Sequence, residues 1–380
     1  MHIAIHWAGL AATALALIGA AYAFAAVCLA GRFKVSRQMV PTKYAPVTVI
    51  KPLHLDEPRL RENLESFCRQ NYAAPIQIVF GVQDPLDPAI KIVESLKRQY
   101  PALDIELVID TRLYGTNRKV SNLINLVERA KYDVLVLSDS DIAVAENYLA
   151  AVTASLEEAG GGAVTCVYSG APLNNAWSRF VAMGINYQFI PNALFGTTLG
   201  LASPCFGSTI ALRKDLLRRI GGMQAFSNLL ADDYEIGRAV RTLGHSMTLA
   251  PIVVSHTCAE RSGREMFDHE LRWARTVRLL NFSGHLGTII THAVPLALIA
   301  MALNGATAMS AAVLGTALLA RLSVKWRMDR VLATSAGPAW LLPVRDVLSF
   351  AVFLGSLAGG NVRWRGSRFL VAPDGVLSHQ

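Results

Sequence analysis

The chain has 380 residues, 52% of them hydrophobic and only 17% charged, with a net charge of +8. A mean hydropathy of +0.35 is too apolar for an ordinary soluble protein and implies a globular domain joined to membrane segments. The basic residues cluster beside apolar spans rather than forming one basic face with interleaved aromatics, which argues against nucleic acid and for anionic lipid as their partner.

Residues 7–30 form an uncharged stretch long enough to cross a bilayer as a helix. Arg32, Lys34 and Arg37 follow it and no Lys or Arg precedes it, which places the N-terminus outside and the chain beyond it in the cytoplasm. A cleaved signal peptide ending near Ala21-Tyr22-Ala23 is the rival reading, but it lacks a basic leading region and the apolar run continues past that point. The cysteines Cys28, Cys68, Cys166, Cys205 and Cys258 form no CxxC pair and read as small core residues of a reducing compartment, not as a zinc site.

From about residue 45 to 251, short apolar runs alternate with amphipathic ones. Residues 46–51, 76–82, 105–109 and 132–138 read as strands, and 57–70, 88–100 and 117–130 as helices. Such alternation implies an α/β fold, a mostly parallel sheet with helices on both faces and ligands beyond the carboxyl strand ends. Residues 163–169 and 208–213 look like further strands, with 186–204 between them as a flexible pocket wall. Ala231-Asp232-Asp233-Tyr234-Glu235 opens a helix to about Leu243, where acidic residues also suit the helix dipole.

The fourth strand ends in Ser138-Asp139-Ser140-Asp141. Residues i and i+2 on extended backbone point the same way, so the two carboxylates converge beyond the strand. Converging carboxylates repel unless a cation lies between them, and Mg2+ or Mn2+ with a phosphate partner suits such oxygen ligands. A turn that merely closes a buried strand is the simpler alternative. Asp84 falls at the same sheet edge, after the second strand.

Residues 264–280 combine Met266, Phe267, Trp273, Val277 and Leu280 at helical spacing with interleaved arginines, the pattern of a helix lying in a membrane interface. Residues 285–320 read as a helical hairpin broken at Asn304-Gly305, followed by Arg321, Lys325, Arg327 and Arg330. Residues 341–360 contain Arg345 and Asp346 and are followed by Arg363, Arg365 and Arg368, which predicts a segment that re-enters or lies along the membrane and a cytoplasmic end at Gln380. The expected divisions are 1–40 (membrane helix and basic flank), 41–263 (cytoplasmic domain), 264–284 (interfacial helix), 285–362 (membrane region) and 363–380 (cytoplasmic tail).

Paired carboxylates also suit a glycoside hydrolase, but that chemistry needs neither a metal-chelating DxD nor a membrane interface. A metal, a phosphate-bearing donor and a lipid acceptor account for more of the chain. The residues carry a resemblance in five places: Val82-Gln83-Asp84 with Asp87-Pro88-Ala89, Asp139-Ser140-Asp141-Ile142, Arg213-Lys214-Asp215 with Gly221-Gly222, Ala231-Asp232-Asp233-Tyr234, and Arg272-Trp273. In this order and spacing, over about residues 45–280, the chain resembles ceramide glucosyltransferase and its bacterial relatives, membrane-bound inverting glycosyltransferases with the GT-A fold, a Rossmann-like nucleotide-diphospho-sugar transferase domain with transmembrane helices at both ends. Within that family it looks most like the hopanoid-biosynthesis glycosyltransferases of bacteria.

The resemblance implies a UDP-sugar donor, N-acetylglucosamine by the hopanoid likeness with bacteriohopanetetrol as acceptor, or UDP-glucose and ceramide by the alternative. It implies that Asp84 contacts the uracil or ribose, that Lys119 approaches the diphosphate, that Asp139 borders the donor, and that Asp141, with Asp139, holds Mg2+ or Mn2+. Asp233 would be the base that deprotonates the acceptor, with Asp232 as an alternative base and a helix cap as the plainer role. Arg272 and Trp273 match an Arg/Gln-x-x-Arg-Trp signature near the diphosphate and acceptor, with His269 standing where the family has Arg or Gln. His256 is a further candidate ligand, beside the commoner reading as a core or surface histidine. A processive polysaccharide synthase shares these signals but typically has more spans, and a non-catalytic membrane adaptor would be expected to have lost a carboxylate. The sequence leaves the oligomeric state open.

Overall fold

A computed structural model describes the backbone of residues 2–36, 39–359, 361–364, 367–371 and 377–379, and side chains at 3–36 and 39–359. Arg37, Arg365 and Gln380, used above to argue topology, lie outside the described residues. The long apolar stretch forms α1 (His2–Ala30), followed by β1 (Val47–Pro52), α2 (Leu60–Cys68), β2 (Ile76–Val82), α3 (Ala89–Gln99), β3 (Asp104–Ile109), α4 (Arg118–Val127) and β4 (Val134–Leu137). Next come β5 (Ile142–Ala143), α5 (Tyr148–Glu158), β6 (Ala163–Pro172), α6 (Ala176–Gly184), a π-turn (Ile185–Phe189) and α7 (Ile190–Thr198). β7 (Ile210–Arg213), α8 (Lys214–Arg219), α9 (Asp232–Thr242) and β8 (Met247–Cys258) complete one eight-stranded sheet in the order β3-β2-β1-β4-β7-β6-β8-β5.

β1 pairs in parallel with β2 and β4, and β2 with β3, so the carboxyl ends of these four strands share one edge. β7 runs antiparallel to β4 and to β6. β1 and β4 are buried along their whole length, as strands covered on both faces must be. One face carries α2, α3 and α5 through Leu64, Phe67, Val93, Leu96 and Val152; the other carries α4, α8 and α9 through Leu123, Leu126, Leu216, Ile236 and Val240. Asn117 caps α4 by accepting from Val120 N at 3.1 Å, which fixes where that helix starts beneath the sheet edge.

Three expectations for the second half need correction. Residues 186–204 are not a flexible wall: the π-turn and α7 make most of the segment helical and pack it against α1, with Tyr22 and Phe195 rings 4.6 Å apart. The apolar strand read before His256 does not end there: His256 lies inside β8, which runs on to Cys258, and the β6–β8 register slips near Pro251, pairing Thr165 with Leu249 but Val167 with Val253. The 208–213 strand is shorter, starting at Ile210.

α10 (Gly263–Leu280) matches the interfacial stretch, and α11 (Phe282–Gly287), α12 (Ala293–Asn304), α13 (Ala308–Leu332) and α14 (Leu342–Ser356) follow. The chain does reverse near Asn304-Gly305, but the first arm is bent by 68° between Phe282–Thr291 and Ala293–Asn304. The second arm runs through Arg321 and Lys325 instead of ending before them. Both are buried: Arg321 makes a bidentate pair with Asp346 of α14 at 2.8 Å, and Lys325 pairs with Asp329. Arg345 is paired with Glu270 of α10 at 2.8 Å. These pairs neutralise Arg345 and Asp346 inside the segment and leave the basic cluster after it as it was. Among the described residues three helices are long and apolar enough to span a membrane, Ile3–Ala30, Ala308–Leu332 and Ala339–Ser356, and a fourth span arises if the bent pair counts as one. The protein is membrane-associated by this measure. β9 (Asn361–Trp364), β10 (Ser367–Val371) and β11 (Leu377–His379) form a separate antiparallel sheet.

Candidate active site

At the carboxyl edge of β4 the chain turns sharply. Asp139 sits just past the strand end, and Lys119, on the first turn of α4, reaches it from the neighbouring face: Nζ lies 2.7 Å from Asp139 Oδ1 and 3.1 Å from Asp232 Oδ2. Burial alone would lower the Lys119 ammonium, but Asp139, Asp232 and Asp233 outweigh it and hold the group charged, well above the usual lysine range.

Asp232 and Asp233 open α9, and their side chains diverge. Asp232 is buried and faces Lys119. Asp233 accepts from Gly207 N at 3.0 Å through Oδ2 and from Tyr234 N at 2.8 Å through Oδ1. Burial, and then the charge of Asp232, raise the Asp233 carboxyl to about 6. Gly207 also accepts from Asp139 N at 3.3 Å, so it joins the two acidic elements. A Cβ there would come within 2.7 Å of Asp139 Oδ2. Sequence reasoning passed over Gly207 because nothing local sets it apart from the chain's other glycines.

Asp141 lies close enough to Asp139 to raise its carboxyl but has a different partner. Its Oδ2 lies 3.2 Å from His256 Nε2, while its Oδ1 is buried without a partner among the described residues. Burial pushes the Asp141 carboxyl up, but the His256 imidazole, its hydrogen bond and Lys51 pull it below the ordinary range. Burial opposes protonation of His256, and Asp141 overrides it, lifting the imidazole well above its usual value. His256 is buried in β8, so of the two plainer readings the structure favours a core histidine over a surface one, here with a carboxylate partner.

α10 packs beside this pair. Trp273 lies 6.3 Å from the His256 ring and 4.3 Å from the His269 ring, edge to face, and His269 Nδ1 pairs with Glu260. Glu260 is buried and had not been singled out, although it shares the short link between β8 and α10. Arg272 is half-buried on the same helix. Asp84 lies at the same sheet edge after β2 but is exposed, and its Oδ1 accepts from Leu86 N at 2.8 Å, a turn-stabilising contact. The structure thus gathers Lys119, Asp139, Asp232 and Asp233 into one cluster and Asp141, His256, Trp273 and His269 into a chain beside it; no such contact ties Asp84 to either.

The mixed sheet with helices on both faces has the GT-A glycosyltransferase fold, with these acidic residues at the carboxyl edge of its parallel strands. The mannosyltransferase PcManGT from Pyrobaculum calidifontis, solved in complex with GDP-Man and Mn2+, shares it with a TM-score of 0.54 over 90% of this chain and 99% of that one, at 22% identity. The chain belongs to glycosyl transferase family 21, whose sequence profile matches residues 11–377. Ceramide glucosyltransferase 1 of Caenorhabditis elegans is 24% identical over 245 residues, 64% of this chain and 52% of that protein. The ceramide glucosyltransferase of Candida albicans is 37% identical over 117 residues, 28% of this chain and 22% of that protein. The chain thus spans about half the length of the first of these relatives and less of the second.

Proposed function

We propose that the protein is an inverting, metal-dependent hexosyltransferase that moves a sugar from a UDP-sugar to the hydroxyl of a membrane lipid. The observation that carries this reading is the division of the acidic residues: Asp233 is held by Gly207 N and Tyr234 N with its carboxyl raised to about 6, while Asp141 keeps a buried oxygen without a partner among the described residues. The first arrangement suits a base and the second a cation ligand.

The residues fit a divalent cation shared with a diphosphate. Among the described residues no three His, Cys, Asp or Glu side chains form a ready cage, so the remaining ligands would come from phosphate and water, as Mg2+ and Mn2+ sites on nucleotides commonly arrange. Asp141, with Asp139, would hold the cation. When bound, it supplies Lewis-acid stabilisation of charge on the departing diphosphate. Asp233 takes the proton of the acceptor hydroxyl, whose oxygen bonds to the anomeric carbon from the face opposite the leaving group. The anomeric carbon–oxygen bond breaks with its electron pair going to UDP, and the configuration inverts. Lys119 draws Asp139 toward α4, and Trp273, beside His256 and His269, with Arg272 on the same helix would meet the arriving lipid hydroxyl and the diphosphate. Asp84 toward the uracil or ribose completes the donor set.

The likeness to ceramide glucosyltransferases supports a lipid acceptor and a membrane setting. Bacteriohopanetetrol with UDP-N-acetylglucosamine is the finer reading, with ceramide and UDP-glucose as the alternative, and the bacterial inner membrane with a cytoplasmic domain as its location. Incubating membranes with labelled UDP-sugar and extracting with organic solvent tests this. Label in a discrete lipid supports it, label in insoluble polymer indicates a processive synthase, and none indicates an adaptor. Lipid extracts of a deletion strain then identify the acceptor.

A further inference from the structure

Lys51, in the apolar strand β1, is wholly buried beneath the site and unused by the chemistry above. Its Nζ donates to Asp139 O at 2.8 Å and, at 3.4 Å, to Ser138 Oγ and Ile142 O. The ammonium rests 3.7 Å from the centroid of the Phe67 ring. An ammonium has three donors and no acceptor, and here all three go to one turn.

The rest of that turn is tied down by other elements. Asn63 Nδ2 of α2 donates to Ser140 O at 3.3 Å, Thr257 N of β8 donates to Asp141 O at 2.9 Å, and Ser140 Oγ donates to Glu57. The carbonyls of Asp139, Ser140, Asp141 and Ile142 each have a partner, and Lys51 serves two of the four. A buried charge in an apolar strand is costly to keep unless its field has a use. The carboxylates facing it are Asp141, Asp139 and Glu57.

We propose that Lys51 is a positioning residue: its buried ammonium holds residues 138–142 in the shape in which Asp139 and Asp141 can receive a divalent cation together with a diphosphate. Its hydrogen bonds go to main-chain oxygens and a serine hydroxyl, so Lys51 itself occupies no carboxylate oxygen of Asp139 or Asp141. The inference rests on the cation-and-diphosphate reading of the site for its functional consequence, and on the hydrogen bonds alone for its structural one.

The test uses Lys51→Met in the full chain in detergent, with UDP and Mn2+ as probes. Methionine keeps most of the packing over Phe67 and removes all three donors. The Mn2+ concentration that half-saturates metal-dependent UDP binding is expected to rise about 10- to 100-fold, the range for residues that orient metal ligands, while metal-free UDP binding is unchanged. A merely structural role would weaken both. In the metal-free chain, amide exchange at residues 138–142 is expected to accelerate relative to β1 and β4. Phe67→Leu, which keeps the lysine but removes the ring under it, should shift both readouts the same way by less and serves if the methionine variant does not fold. A manganese titration that overlays the parent's, with unchanged exchange in the turn, overturns the proposal. If the parent itself binds UDP without regard to Mn2+, the donor reading falls instead, and the exchange measurement alone decides Lys51.

Discussion

The Gly207 amide donates to Asp233 Oδ2 at 3.0 Å, and a side chain at 207 would meet Asp139 Oδ2 at 2.7 Å and Lys119 Nζ at 3.3 Å. The glycine therefore sets the spacing between the two acidic elements. Gly207→Ala must push Asp139 off Lys119 or shift the amide from Asp233. A displacement of about 1 Å at a reacting group can cost about 100-fold, so turnover is expected to fall by at least about tenfold. Unchanged kcat/KM would show that the turn yields without disturbing the site.

Asp233→Asn is expected to abolish transfer while UDP binding survives, since asparagine can still accept from the Gly207 amide but takes no proton. In the parent, kcat/KM should fall on the acid side with a midpoint near the raised value of about 6. Stability moves the other way. A carboxyl raised in the folded state favours its protonated form, so ionisation costs stability as pH climbs from its ordinary 3.8 to about 6. The asparagine variant is therefore expected to melt no lower than the parent at neutral pH. Substantial turnover by it would remove Asp233 as the base.

Asp141→Ala should abolish the metal dependence of UDP binding. It also strips His256 of the partner that raises its imidazole, leaving burial to lower it. Isothermal titration with and without Mn2+ checks the first effect, and the histidine's NMR titration checks the second. A metal titration like the parent's would sink the ligand assignment.

Lys119→Met leaves Asp139, Asp232 and Asp233 facing one another without their shared cation. Removing one partner of a largely buried pair costs about 3 kcal/mol. The folded pKa of Lys119 lies above its unfolded one, so its stabilisation is fully present through the neutral range. In the variant, the crowded carboxylates bind protons more readily when folded, so the deficit should be largest near about pH 8 and shrink toward about pH 5. Thermal melts at both values decide this, and a pH-independent deficit would contradict it.

Glu270→Ala leaves Arg345 buried and uncompensated between α10 and α14. The loss should approach about 3 kcal/mol, and pairing it with Arg345→Met should recover most of it. If the double variant is no more stable than the single, the two helices are not coupled through this pair.

Several parts of the fold were legible because they are written in local pattern. The 76–82 run is β2 to the residue, since five β-branched or aromatic residues in seven positions favour a strand. The 7–30 stretch is a helix because no charge interrupts it. β8 was legible only as an apolar run before His256: its bulge near Pro251 breaks the alternation, and its pairing with β6 comes from sheet topology. Among the site residues, Asp139, Asp141, Lys119 and Asp233 could be picked out by their place at strand or helix ends. Lys51 had only the weak signal of a lysine in an apolar strand, and Glu260 and Gly207 had none.

The sequence by itself determined an α/β domain with acidic residues past its strand ends and membrane helices on either side of it, because periodicity, end residues and flanking charge act over a few positions. Only the tertiary structure decided which groups meet: Lys119 with Asp139 and Asp232, Asp141 with His256, Gly207 between Asp139 and Asp233, Arg321 with Asp346. Those partners lie on different elements, and strand order, register and helix packing bring them to within hydrogen-bonding distance. Sequence spacing carries no record of that, because contact across a sheet edge depends on which strands are neighbours, not on how many residues separate them.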